Sequence, residues 1–358
     1  MKIIDRHLLH HMAGPFAFGV LAFVLLFVSA NILFRLTELV SELGLSLWTA
    51  GELFLLWLPG FVVLTFPLAT LVAILVAFGR MSGDSELVAM YAGGISFRRL
   101  VVPVACAGAI LSIATAALNE LAVPACNRRG EDIVREAMLA AGKEEEGEIL
   151  LRDRAGSQVF LVYADRLDVA SGELVRPLIV WFENGEPAMV TSAQRGVWRT
   201  GAWELFDGVS TPLNADRPTT SSFETLEINL PTTPREMAQS ARSPSEMTYR
   251  ELKEYIRYAL RQDRPTVDLE LTLHHKFSIP FACLVFALIA PPLGMRSHRG
   301  SSSIGMGIAV LIGFGYYVVW HYLSVVAQQE IISPFWAAWL PNIVTGAIGL
   351  GLILNVRK

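Results

Sequence analysis

Six stretches of this chain are each long and apolar enough to cross a bilayer as a helix, which excludes most soluble folds at once. A hydrocarbon core about 30 Å thick takes about 20 mostly apolar residues. The runs are Met12–Phe34, Leu53–Phe78, Leu100–Asn119, Phe277–Met295, Ile304–Gln328 and Ile331–Val356. Prolines lie inside several of them, at Pro59, Pro67, Pro103, Pro280, Pro291, Pro292 and Pro341. Spanning helices tolerate them because neighbouring helices satisfy the freed backbone groups. Val28-Ser29-Ala30 resembles a signal-peptide cleavage site. The run that contains it is longer than a signal core, and five more follow, so it is read as a span.

Orientation follows from lysine and arginine in the short loops, which favour the cytoplasmic side. Lys2 and Arg6 precede the first run, and Arg80, Arg98 and Arg99 separate the second from the third. Arg296 and Arg299 separate the fourth from the fifth, and Arg357 and Lys358 end the chain. All fall on one side. The opposite short loops hold Glu38, Glu42 and Glu330, with Arg35 as their one basic residue. Both termini are therefore expected in the cytoplasm and the long middle segment outside. Without a sign of eukaryotic processing, outside is read as a bacterial periplasm.

Only 17% of the residues are charged, against about 25% in soluble domains, and most of those charges crowd the middle. Residues 121–275 therefore read as extramembrane. Arg128–Gly142 and Lys143–Glu148 look helical. Strand signals follow at Gln158–Ala164, Pro177–Phe182, Ala188–Ser192, Val197–Arg199, Trp203–Phe206 and Phe223–Leu230. Glu183–Pro187 reads as a turn and Thr200-Gly201-Ala202 suits a hairpin. Short strands at such intervals indicate a sandwich or jelly roll. Ser245–Gln262 reads as a helix with Ser245 or Thr248 as cap and Leu252, Tyr255, Ile256 and Leu260 on one face. The boundaries expected are 1–123 for three spans, 124–275 for the middle domain and 276–358 for three more spans.

The sharpest local signal is Gly83-Asp84-Ser85-Glu86-Leu87-Val88-Ala89-Met90-Tyr91-Ala92-Gly93-Gly94. Ser82, Asp84 or Ser85 can cap a short helix, and the glycines end it. Leu87, Met90 and Tyr91 share a face at i, i+3 and i+4. Such a segment either lies against the bundle or docks into a cytoplasmic partner.

Other chemistries are excluded by what is missing. There is no G-x-x-x-x-G-K-[ST] phosphate loop, no H-E-x-x-H zinc motif and no G-x-S-x-G nucleophile turn. No cofactor is expected in this chain. A net charge of −4 points to no nucleic-acid partner. Three cysteines make no disulfide framework; Cys106 and Cys283 read as small core residues, and Cys126 has no obvious partner. His7, His10, His11, His274 and His275 read as interfacial or structural. The spans lack the acidic and basic groups that ion-driven pumps carry at depth. His321, near Tyr316, Tyr317, Trp320 and Tyr322, is the one titratable residue well inside a span and reads as part of an interfacial belt. Uphill transport by such a chain needs energy from another subunit.

Three segments taken together resemble the lipopolysaccharide-export permeases of the LptF/LptG family. They are the opening Ile3-Ile4-Asp5-Arg6-His7-Leu8, the segment Asp84–Gly94, and the block Lys276–Gly294 ending Pro291-Pro292-Leu293-Gly294. The resemblance covers essentially the whole chain; the amino end and the fourth-span block favour the LptF type over LptG. It implies a membrane α-helical bundle of six helices, three plus three, around a periplasmic β-jelly-roll domain. It further implies a second permease of the same family, a cytoplasmic ABC ATPase dimer that binds ATP and magnesium, a single-span adaptor and a periplasmic jelly-roll bridge. The cargo would be lipopolysaccharide, drawn from the inner membrane. Asp84, Ser85, Glu86, Leu87, Met90, Tyr91 and Gly93 would form the ATPase-coupling helix, with Glu86 making polar contacts and Leu87, Met90 and Tyr91 packing into the partner. Arg35 would meet the lipid's phosphates, although this chain carries fewer basic residues after the first span than some members. Tyr316, Trp320 and His321 would line a gate facing the first span. Two rival readings are another lipid- or lipoprotein-exporting ABC permease, disfavoured by the three-plus-three count, and a non-transporting scaffold, disfavoured by the docking helix. An intramembrane enzyme is disfavoured by the missing polar groups.

Overall fold

The computed structural model describes residues 3–140, 151–155, 158–168, 171–183, 186–199, 201–214, 220–230, 233–234, 237, 243–261, 265–295 and 302–356. Lys2, Lys143–Glu148, Asn184-Gly185, Thr200, Gln262, Arg296, Arg299, Arg357 and Lys358, named above, lie outside them. The chain forms two compact units, one of Met1–Ile133 with Val267–Lys358 and one of Val134–Thr266.

The first unit is helical. Helix α1 (Ile3–Phe27) runs through a π turn at Val28–Ile32 into α2 (Leu33–Leu43). Helix α3 (Leu47–Gly83) has 37 residues, about 56 Å at 1.5 Å per residue, so it outruns a hydrocarbon core. The short α4 (Glu86–Ala92) follows, then α5 (Phe97–Ala117), a second π turn (Leu118–Ala122) and α6 (Val123–Ala140). After the second unit come α8 (Val267–Met295), α9 (Ser302–Gln328) and α10 (Pro334–Asn355). Six of these helical stretches are long and apolar enough to cross a membrane, three before the first strand in sequence and three after the last. Arg128–Gly142 is no separate helix: its described part continues α5 through the π turn.

Helix α8 is the centre of this unit, packed against α3, α5 and α10. Its backbone explains how Pro280 is accommodated. Proline has no N–H, so the Lys276 carbonyl loses its donor one turn earlier. Asn119 Nδ2, in the second π turn, donates to that carbonyl at 3.1 Å. Ser112 Oγ donates to the Pro280 carbonyl at 2.6 Å, and Asn342 Nδ2 to the Ser278 carbonyl at 2.7 Å. Two buried polar side chains, Ser112 and Asn342, and the part-buried Asn119 thus serve the backbone. Cys283 is buried here as expected, whereas Cys106 is exposed; it shares the outward face of α5 with Val102 and Ile110 at four-residue spacing.

Among the described residues the second unit holds eight antiparallel strands in one sheet: β1 (Leu151–Ala155), β2 (Gln158–Tyr163), β3 (Arg166–Asp168), β4 (Glu173–Val175), β5 (Leu178–Glu183), β6 (Glu186–Arg199), β7 (Ala202–Pro212) and β8 (Ser221–Ile228). Strand β6 organises it, pairing along one edge with β5 and β4 and along the other with β7. Strand β8 pairs with β7. Ala188–Ser192 and Val197–Arg199, expected as two strands, are parts of this one. The alternating inward residues Phe160, Val162, Leu174, Ile179, Trp203 and Leu205 form its core.

A short 3-10 turn (Pro244–Glu246) leads to α7 (Tyr249–Arg261), with Leu252, Tyr255 and Ile256 buried and Leu260 exposed. Thr248 is its cap. The Thr248 amide donates to Glu251 Oε2 at 2.8 Å, and the Glu251 amide to Thr248 Oγ1 at 3.4 Å, a reciprocal capping box. Thr248→Ala should cost about 1 kcal/mol. Amide exchange in the first turn of α7 should then speed up about fivefold; unchanged exchange would mean that the cap does not hold the helix.

Candidate functional site

Two places bring together residues singled out in the sequence. The first is α4. Ser82 ends the preceding helix with its hydroxyl on the Met295 carbonyl at 3.2 Å. Ser85 turns the chain with φ 60°, and no side chain caps α4. At the other end, the Ile95 amide donates to the Met90 carbonyl and the Gly94 amide to the Tyr91 carbonyl, with Gly94 at φ +82°. That double bond pattern requires a left-handed residue, which glycine supplies without strain.

The apolar face read from the sequence exists, but it faces the chain's own bundle. Leu87 is 1% exposed and belongs to the core around α3, α5 and α8, with Met90 and Tyr91 packed against it. The Tyr91 hydroxyl donates to Met295 Sδ at 2.8 Å, and burial raises its pKa, so it keeps its proton at neutral pH. These residues anchor α4 instead of packing outward. The outward face holds Val88 at 56% exposure, with Ala89, Ala92, Asp84, Ser85 and Gly93. Glu86, half-buried, meets His7 Nε2 through Oε2 at 3.2 Å. The sequence does not single out the exposed Val88, Ala89 and Ala92, because periodicity identifies a face without saying what covers it.

The second place is the far end of the first helical stretch. Arg35 is 55% exposed and lies over the Trp57 ring at 4.6 Å. Its Nη2 is 3.4 Å from Glu131 Oε1. The π turn at Val28–Ile32 sits just before it, a feature frequent at functional sites. Any anionic ligand of Arg35 would share it with Glu131, which no sequence signal paired with it.

Tyr316, Trp320 and His321 do not form one surface. Tyr316 is buried and donates to Asn342 Oδ1 at 3.0 Å. Trp320 is partly buried against the ring of His275, centroids 4.6 Å apart. His321 is exposed. Residues four apart share a helix face, and the next residue turns away from it.

The geometry offers a helical bundle, an anchored helix with an exposed face and a cation just past a π turn. Comparison with known proteins places that assembly. The model of the family described as Lipopolysaccharide export system permease LptF/LptG matches residues 6–355. The chain belongs to that family. It is 24% identical over 321 residues to the Lipopolysaccharide export system permease protein LptG of Escherichia coli K12, covering 86% of this chain and 85% of that one. The protein of the same name from Escherichia coli O6:H1 matches equally. Both are LptG, the type opposite to the one favoured by the amino end and the fourth-span block. An identity of 24% supports family membership without dividing the two types. LptF/LptG membership and the six apolar helices make this an integral inner-membrane protein of lipopolysaccharide transport.

Proposed function

We propose that this chain is the permease subunit of an ATP-driven exporter that lifts lipopolysaccharide out of the inner membrane and hands it to a periplasmic bridge. The family match along nearly the whole chain carries this reading. The spans lie three before and three after a periplasmic sheet domain of jelly-roll type, and both termini are cytoplasmic. A second LptF/LptG-type permease pairs with this one. Catalysis belongs to a separate ATPase dimer, which binds ATP and magnesium and docks on the outward face of α4. A single-span adaptor completes the membrane assembly.

The physical problem is the cost of moving a multi-chain lipid out of a bilayer, at about 0.8 kcal/mol for each buried CH₂. An apolar space between two permeases accepts the chains while Arg35 holds a phosphate at the rim. Exposed Phe18, Leu21 and Leu25 on α1 and Val310, Leu311 and Phe314 on α9 supply apolar surface suited to such a space or to lipid. Closing that space on ATP binding drives the lipid outward.

Purification of the tagged chain from its native membrane, followed by native mass spectrometry, tests the assembly. It should recover two ATPase copies, a second permease and lipopolysaccharide; a chain recovered alone under conditions that preserve such complexes would refute it. Arg35→Glu tests the rim. A charge-assisted hydrogen bond is worth about 1.5–3 kcal/mol, so half-maximal stimulation of ATP hydrolysis should need about tenfold more lipopolysaccharide or above. An unchanged lipid dependence would remove Arg35 from the lipid site.

A further inference from the structure

His7 and His11 stand at i and i+4 on α1, so their rings share one face. Glu86, at the start of α4, brings a carboxylate to the same place. His7 Nε2 is 3.2 Å from Glu86 Oε2 and 3.1 Å from His11 Nε2. Arg80 Nη2 contacts His11 Nδ1. One ligand atom from each of His7, His11 and Glu86 lies within 4.8 Å of the other two.

Hydrogen bonds alone do not satisfy this cluster. Arg80 is only a donor, so His11 Nδ1 accepts and the His11 proton sits on Nε2. That N–H points at His7 Nε2, which must then present its lone pair. Glu86 then faces the same lone pair with no proton between them. Protonating His7 restores the bond to Glu86 and sets two N–H groups against each other. A cation that accepts all three lone pairs removes the conflict.

We propose that His7, His11 and Glu86 form a binding site for a divalent first-row transition metal of the zinc class, joining the start of α1 to α4. Two imidazoles and one carboxylate suit Zn²⁺, which takes such sets with water completing its shell. Magnesium and calcium, which prefer all-oxygen shells, fit the set poorly. His7 and Glu86 side chains are 44% and 35% exposed, which leaves room for those waters. Ligation through His11 Nε2 moves its proton to Nδ1, so Arg80 must leave. Arg80 is exposed, so water can solvate its guanidinium once it leaves His11. His10 is also exposed, but it is outside the three-residue cluster and serves as the control.

The test is calorimetric titration of Zn²⁺ into the purified full-length chain, carried on a tag without histidines. It uses neither ATPase nor lipid, so its outcome is separate from that of the exporter reading. Wild type should bind a single Zn²⁺ per chain at this site. Loss of a supporting group beside a metal ligand alone costs about 10–100-fold, so His11→Ala, which removes a ligand, should weaken binding at least about tenfold. His7→Gln, at the half-exposed ligand, should repeat that loss with an unchanged thermal midpoint. Arg80→Ala should tighten binding, and His10→Ala should leave it unchanged. Wild-type affinity in His11→Ala and His7→Gln, or an equal loss in His10→Ala, would overturn the site in favour of diffuse surface chelation.

Discussion

Val88→Arg should leave the chain folded in the membrane and abolish the proposed docking of an ATPase on the outward face of α4. The substitution adds a large cation at a position 56% exposed on α4, so nothing inside the bundle has to move. The helix itself stays anchored by Leu87, Met90 and Tyr91 on its other side. A central position in an interface is worth about 2 kcal/mol or more when disrupted, about a 30-fold loss of association. ATPase recovered per permease on affinity purification should fall accordingly, while the permease itself is extracted at the wild-type level. Leu87→Arg provides the contrast. It buries a cation in the core, so it should remove the permease along with its partner. Wild-type ATPase recovery with Val88→Arg would move the docking surface off this face of α4.

That prediction turns on a side chain the sequence did not single out, and the reason is general. The run Leu87, Met90, Tyr91 reveals a helix and a stripe, because the spacing is local. Whether the stripe meets a partner or the chain's own α3 and α8 is tertiary information. The same limit separates His7 from Glu86, 79 residues apart, and Arg35 from Glu131, 96 apart. The six apolar runs were readable because a bilayer sets their length. Their ends were not, since α3 continues past Phe78 to Gly83 and α1 begins nine residues before Met12. The join of α5 to α6 was hidden because no residue pattern marks a π turn; Asn119 earns its place there only through the carbonyl that Pro280 frees.

In the sheet unit, strands with alternating apolar residues were legible and the shortest were not. Leu151-Arg152-Asp153-Arg154-Ala155 is a strand because it pairs with β2 along its whole length, yet its own residues are mostly charged. Strands β3 and β4 have three residues each, too few to show a period. Ala193–Gly196 separates the two strands expected from the sequence, Ala188–Ser192 and Val197–Arg199. Gly196 instead sits inside β6, where a Cβ would lie 3.0 Å from the Leu205 side chain, so the glycine records close packing.

Close packing also governs the other large effect, Gly108→Val. A Cβ at Gly108 would stand 2.4 Å from Ala287 Cβ and 3.1 Å from the Cys283 carbonyl oxygen. Neither obstacle is the end of a flexible side chain, so α5 and α8 have to separate. Without a hydrophobic force between helices in lipid, such small-residue contacts supply much of the association. Separation also breaks the bonds from Ser112 to the Pro280 carbonyl and from Asn119 to the Lys276 carbonyl, each worth about 1 kcal/mol net. Overpacking adds about 1–3 kcal/mol. The variant should lose about 3 kcal/mol or more, seen as low accumulation in the membrane and aggregation on gel filtration after detergent extraction. Gly60→Val is the matched control. It lies in α3 with nothing within 4 Å of its Cβ position, so it should behave as wild type. Equal behaviour of the two variants would mean that α5 and α8 do not meet backbone to backbone at Gly108. The Lys276 carbonyl freed by Pro280 would then need a donor other than Asn119.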